Sequence, residues 1–225
     1  MPKKSALKLE SAIIALLLVL MATVAFNQLI ISDIGSTALG RGSPTGSTTG
    51  SAVKTSAQSS DVIPTGVPKI YGDELKIKYD DVSPSDPRKA DSTIKLLGNY
   101  DQTISLDGEL KTRYIAIASQ ISCEYCCGAQ SIIFSNGEAA CGCAHSFAMR
   151  GLAKYLLKNH AKEYTNDQIL EELGKWKTLF FPSQMIEKAA ALKANNIEFN
   201  YINLASNKYR GIEKGSGGSG MVGGC

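Results

Sequence analysis

The chain has 225 residues, enough for one or two domains, and its 24 Lys and Arg against 21 Asp and Glu leave a formal charge of only +3. Lys3, Lys4 and Lys8 precede the first apolar run, so the remainder is nearly balanced and offers no phosphate-neutralising surface. A nucleic-acid partner is excluded on that ground. Of the six cysteines, Cys123, Cys126, Cys127, Cys141 and Cys143 crowd into one stretch, unlike the scatter of a disulfide framework.

Residues 12–31 (AIIALLLVLMATVAFNQLII) carry no charge and match the ~20 apolar residues that span a hydrocarbon core. With the lysines upstream, the positive-inside bias predicts a single-pass transmembrane helix at the cell membrane, residues 1–11 inside and the rest outside. A cleaved signal peptide is a rival, since Thr23-Val24-Ala25 offers small residues at a cut site. A pilin-like assembly subunit is another, motivated by the Lys-rich leader and Glu10. Residues 32–61, rich in Gly, Ser and Thr without apolar periodicity, read as a flexible stalk. The Gly-rich tail 215–225 ends in a thiol, Cys225.

Residues 62–214 read as an extracytoplasmic head, mainly α, with one or two short strands. YGDELKIKY (71–79) alternates as a strand would, and Pro84 and Pro87 punctuate the entry into a helix over 88–97. Leu110, Tyr114, Ile117 and Ile121 recur at helical spacing over 107–120. Ala148, Leu152, Tyr155 and Leu156 place a further helix over 146–159. His160 then reads as a solvated loop residue. Thr165 with Gln168 forms a capping-box signature before the stripe Ile169, Leu173, Trp176 and Phe180, in which Trp176 is core. Pro182 stops that helix, Ser183 caps the next, and IEFNYI (197–202) reads as a final strand.

The chemistry lies in Cys123-x-x-Cys126-Cys127, thirteen residues, then Cys141-x-Cys143-x-His145. A Cys-x-x-Cys turn gathers two sulfurs, which suits a tetrahedral metal and equally a reversible disulfide. In an extended segment positions i, i+2 and i+4 share a face, which would point Cys141, Cys143 and His145 the same way. A hairpin-like loop, Ser135-Asn-Gly-Glu138, joins the two clusters. The preferred ligands are Cys123, Cys126, Cys141 and either Cys143 or His145, with Cys127 a surplus thiol or a core residue. Zinc is the first metal to expect and copper(I) or another soft ion the second.

SCEYCCGA (122–129), ACGCAHSFAMRGLAKYLL (140–157) and EYTNDQILEEL (163–173) resemble the PCYCGC-motif domain, a family of secreted or membrane-tethered proteins. The resemblance covers about 114–176. It implies a Cys-rich segment after one helix and a second cysteine group opening the next, and it implies no activity. Here Ser122 stands where the family has proline, and the cysteine order is Cys123-Glu-Tyr-Cys126-Cys127.

The leading function is therefore a membrane-anchored, extracytoplasmic metal-binding protein, its site either structural zinc or soft-metal handling with Cys225 as a mobile thiol. The sequence names no protein partner. A thiol-disulfide oxidoreductase is the alternative, with Cys141 and Cys143 the better nucleophiles because they lie near a helix start. Two histidines and no defensible hydrolytic grouping or phosphate loop favour binding over catalysis.

Overall fold

Asp86 caps the first long helix by accepting from Lys89 N at 3.1 Å, and Pro87 opens it at a position where no N–H is required. The computed structural model describes residues 61–214, and the membrane span expected at 12–31, the stalk to residue 60 and the tail from 215 with Cys225 lie outside them. After a four-residue helix α1 (Gly72–Leu75) and a 3-10 turn (Tyr79–Asp81) come α2 (Pro87–Thr103), α3 (Gly108–Ala118), α4 (Ala144–Asn159), α5 (Asn166–Phe180), α6 (Pro182–Ala194) and α7 (Tyr201–Ala205). A second 3-10 turn, Asn207–Tyr209, follows. None of these helices is long and apolar enough to cross a membrane. The fold and the cell-membrane placement expected from the sequence are corrected to what the described residues show, a helical body with no spanning helix and no support for a single-pass anchor.

The expected strands are corrected as well. Among the described residues there are only three isolated antiparallel bridges, Ile121 with Ser206, Cys123 with Ala129 and Ile133 with Ala139. A strand needs a partner edge to satisfy its backbone, and 71–79 has none. Tyr71, Ile77 and Tyr79 are buried from a helical turn that Lys76 ends in the left-handed conformation, φ 54°. At 197–202, the Asn200 side chain accepts from Asn203 N at 2.7 Å and starts α7 instead of continuing an extended run.

The core lies where α4 packs against both α2 and α5. Ile94 and Leu97 of α2, Met149, Leu152 and Leu156 of α4, and Ile169, Leu173, Trp176 and Phe180 of α5 are all almost fully buried. The Thr165–Gln168 capping box closes in both directions, at 3.2 Å and 2.8 Å. Pro182 both ends α5 and opens α6, whose N-cap is Phe181 and not Ser183, because proline is preorganised for the first helical position. His160 is not a solvated loop residue: it caps α4 and meets Glu163 at 3.2 Å and Glu74 of α1 at 3.0 Å.

Gly151 makes the α2–α4 crossing possible. A Cβ there would sit 1.9 Å from the Leu97 carbonyl oxygen and 2.9 Å from Asp101 N, both backbone atoms that cannot swing aside. Gly151→Ala is expected to cost about 1–3 kcal/mol or more by forcing the helices apart. Urea denaturation checks it, and an unchanged midpoint would mean that the helices do not meet there.

Candidate metal and thiol centre

After α3 the chain turns back on itself. Cys123 N donates to the Ala129 carbonyl at 3.0 Å and Gly128 N to the Cys123 carbonyl at 2.9 Å, closing the Cys-x-x-Cys-Cys loop. Gly128 sits at φ 73°, a conformation that glycine adopts without strain. Ile132 N to Ile121 O and Ala140 N to Ile132 O, at 3.0 and 3.1 Å, lay the next segment alongside. The expected turn then forms: Phe134 N donates to Glu138 O at 2.7 Å, Gly137 lies at φ 87°, and Asn136 Oδ1 accepts from Glu138 N at 3.0 Å. This hairpin-like return carries Cys141 back to Cys123. Arg150 fixes it from α4, donating to the carbonyls of Cys141 at 2.8 Å and Ile132 at 3.2 Å while its Nε meets Asp101 of α2 at 2.7 Å.

Three of the six expected ligands converge. The sulfurs of Cys123, Cys141 and Cys143 lie within 4.8 Å of one another, with Cys123 Sγ 3.5 Å from each of the other two. Two sulfurs bound at about 2.3 Å to one tetrahedral ion stand about 3.8 Å apart, so the group needs little adjustment to take one. The other three stand differently. Cys127 is joined to Cys141 as a disulfide across a Cα separation of 6.5 Å. Cys126 is half-buried against the core. His145 is fully buried with its ring 4.9 Å from each of Phe180 and Phe181.

Of the shared face expected of Cys141, Cys143 and His145, the two cysteines meet in the sulfur group, and His145 reaches the Cys143 thiol from a helix rather than from an extended segment. The helix starts at Ala144, with Cys143 as its N-cap, so His145 lies in the first helical turn and not on an extended strand. Cys143 Sγ accepts from Ser146 N at 3.4 Å, as a capping oxygen would. Ser146 Oγ also donates to Cys123 Sγ at 3.1 Å. A hydrogen bond from the Cys123 thiol, helped by His145 and Ser146, holds the Cys143 thiol far below its ordinary range against the opposing effect of burial. The same hydrogen bond, then burial, raises the Cys123 thiol. The Cys143 sulfur thus sits at a helix N-terminus, a place that favours a thiolate.

Beneath the sulfurs lies a charge cluster that sequence reasoning missed. Glu124 Oε1 accepts from Lys177 Nζ at 2.9 Å and Lys188 Nζ at 2.7 Å, and Oε2 from Gly211 N at 3.1 Å. Lys177 also donates to Ser122 Oγ and the Ala205 carbonyl, both at 3.1 Å. Burial pushes the Lys177 ammonium down to about 8 against the pull of Glu124. Burial also works to raise the Glu124 carboxyl, but the two lysines outweigh it and hold it below its ordinary value. Two cations on one carboxylate leave a positive surplus next to the sulfurs, which complements a group of thiolates. The signal was present in the spacing. Lys177 follows Leu173 by four residues and Lys188 follows Met185 by three, so each falls on the buried stripe of its helix.

Compared with known proteins, the chain matches no family model, no curated protein and no solved structure, so nothing there bears on the family resemblance of 114–176.

Proposed function

We propose that the protein, with its cysteines reduced, binds one soft, thiophilic metal ion, zinc(II) or copper(I), through the thiolates of Cys123, Cys141 and Cys143. The mutual approach of these three sulfurs carries the reading. Softness follows from the donors, because thiolates select such ions over magnesium or calcium. Three protein ligands leave one coordination position open, which favours exchange and handling over a closed four-ligand structural site. The Glu124–Lys177–Lys188 cluster offsets the negative charge that the thiolates bring.

The test loads the reduced chain with zinc(II) anaerobically and counts bound metal after desalting. One equivalent is expected. Replacing Cys123, Cys141 or Cys143 by serine should weaken binding by about 100-fold or more, since loss of an outer partner alone costs roughly 10–100-fold. Cys126→Ser should leave the stoichiometry unchanged. A reduced protein that takes up no metal would overturn the proposal.

Thiol-disulfide exchange is a second reading, favoured by the Cys143 sulfur capping a helix N-terminus close to a disulfide. On that reading, Cys143→Ser abolishes turnover of a model disulfide and a chelator has no effect on it.

A further inference from the structure

Cys141 has two claims on one sulfur. It lies in the three-sulfur group, and it is also bonded to Cys127. A sulfur in a disulfide carries no thiolate charge, so it cannot serve as an anionic ligand at the same time. We infer that metal binding at Cys123, Cys141 and Cys143 and the Cys127–Cys141 disulfide exclude each other, so that a low-molecular-weight disulfide expels the ion by oxidising this pair. The inference rests on the metal reading proposed above.

The placement of the two cysteines supports it. Cys127 is exposed at the tip of its loop, whereas Cys141 is 4 % exposed and Cys123 1 %. An oxidant in solution therefore meets Cys127 first. The Cα separation of 6.5 Å lies within the range a disulfide spans, so the pair closes without backbone movement. Arg150, hydrogen-bonded to the Cys141 carbonyl, anchors that segment from α4.

The chemistry balances as two exchange steps. The Cys127 thiolate attacks one sulfur of oxidised glutathione, forming a mixed disulfide and releasing one glutathione thiolate. The Cys141 thiolate, leaving its metal, then attacks Cys127 Sγ and releases the second. Two electrons pass from the two cysteines to the small disulfide, which leaves as two glutathione molecules. Cys123 and Cys143 remain as two thiol ligands in place of three.

The experiment uses the full chain, reduced, loaded with one equivalent of cadmium(II) as a spectroscopic stand-in for zinc(II), and treated with oxidised glutathione without oxygen. Loss of the thiolate-to-cadmium absorption is followed alongside peptide mapping of disulfides. The expected result is loss of one equivalent of ion in step with formation of the 127–141 linked peptide. Cys127→Ser should load one equivalent and lose it on the order of 10-fold more slowly, because the exposed attacking thiol is gone. The inference is overturned if the 127–141 link forms while the ion stays bound, or if loaded Cys127→Ser releases its ion as fast as the natural chain. A reduced natural chain that binds no cadmium defeats the metal reading itself, which is a separate outcome. The mapping on the natural chain keeps the test valid even where the variant folds poorly.

Discussion

Glu124→Gln is expected to destabilise the protein by about 3–5 kcal/mol, the cost of removing one partner from a buried ion pair. Glutamine keeps the shape and an acceptor oxygen, but it leaves Lys177 and Lys188, both with fully buried side chains, without a counter-charge. At roughly 2–4 °C per kcal/mol for a chain of this size, the midpoint of thermal unfolding should fall by about 10 °C. Lys188→Met should cost far less, because it leaves a neutral Lys177–Glu124 pair. The pH dependence gives a second readout. Lys177 binds its proton less tightly folded, near 8, than its ordinary 10.5, so between those values the unfolded chain holds more protons and stability rises with pH. Without Glu124 the folded value drops further and the rising window starts at lower pH, so the deficit of Glu124→Gln narrows in alkali. In acid the slope has the same sign and the deficit narrows again: Glu124 is held below 4.5, so the natural chain loses this contribution as pH falls through the folded value, and the glutamine variant has none to lose. Guanidinium denaturation between pH 4 and 10 checks both arms. A deficit under about 1 kcal/mol at pH 7 would mean that solvent reaches the cluster.

Much of this arrangement is legible in the residues, and the misses share physical causes. The helix over 166–180 declares itself through its capping box and apolar stripe, and the prolines mark the entry to the helix read over 88–97, which runs on to Thr103; these are local signals. The Ser135–Glu138 turn is local too, and it turns the chain so that the second cysteine cluster returns toward the first. What fails depends on distant partners. YGDELKIKY has strand periodicity, yet its alternate aromatics find the carboxylate of Glu172 almost a hundred residues on, and not a neighbouring strand. Cys143 was read as a ligand on an extended segment because cysteine is seldom weighed as a helix cap. Its sulfur takes the role that Ser, Asp or Asn usually fill, so His145 falls in the first helical turn, where it packs on Phe180 and still interacts with the Cys143 thiol. Lysines on a buried stripe read as errors of pattern until Glu124, delivered by the cysteine loop, supplies their partner.

Trp176→Ala is expected to cost about 3–5 kcal/mol, as removal of a fully buried large aromatic does. The loss has two parts that Trp176→Phe separates. The indole fills volume between Tyr79, at 5.4 Å between ring centres, and Phe180, at 6.4 Å. Its Nε1–H also donates to Tyr71 Oη at 2.7 Å, and Tyr71 and Tyr79 both donate to Glu172 Oε2 at 2.6 Å. This network is what ties residues 71–82 to α5. Burial, then the Glu172 charge, raises both phenols, so they remain donors throughout the accessible pH range. Phenylalanine keeps most of the volume and removes only the N–H, so its cost should be about 1–3 kcal/mol, that of a buried group left short of one partner. Both variants should speed hydrogen exchange over 71–82 ahead of the rest of the chain, while metal uptake by the reduced cysteines stays at the natural stoichiometry. Equal costs for the two substitutions would assign the anchoring to the hydrogen bond rather than the packing. Unchanged exchange over 71–82 would show that Ile77 and Val82, the other buried hydrophobic residues of that segment, hold it without help from Trp176.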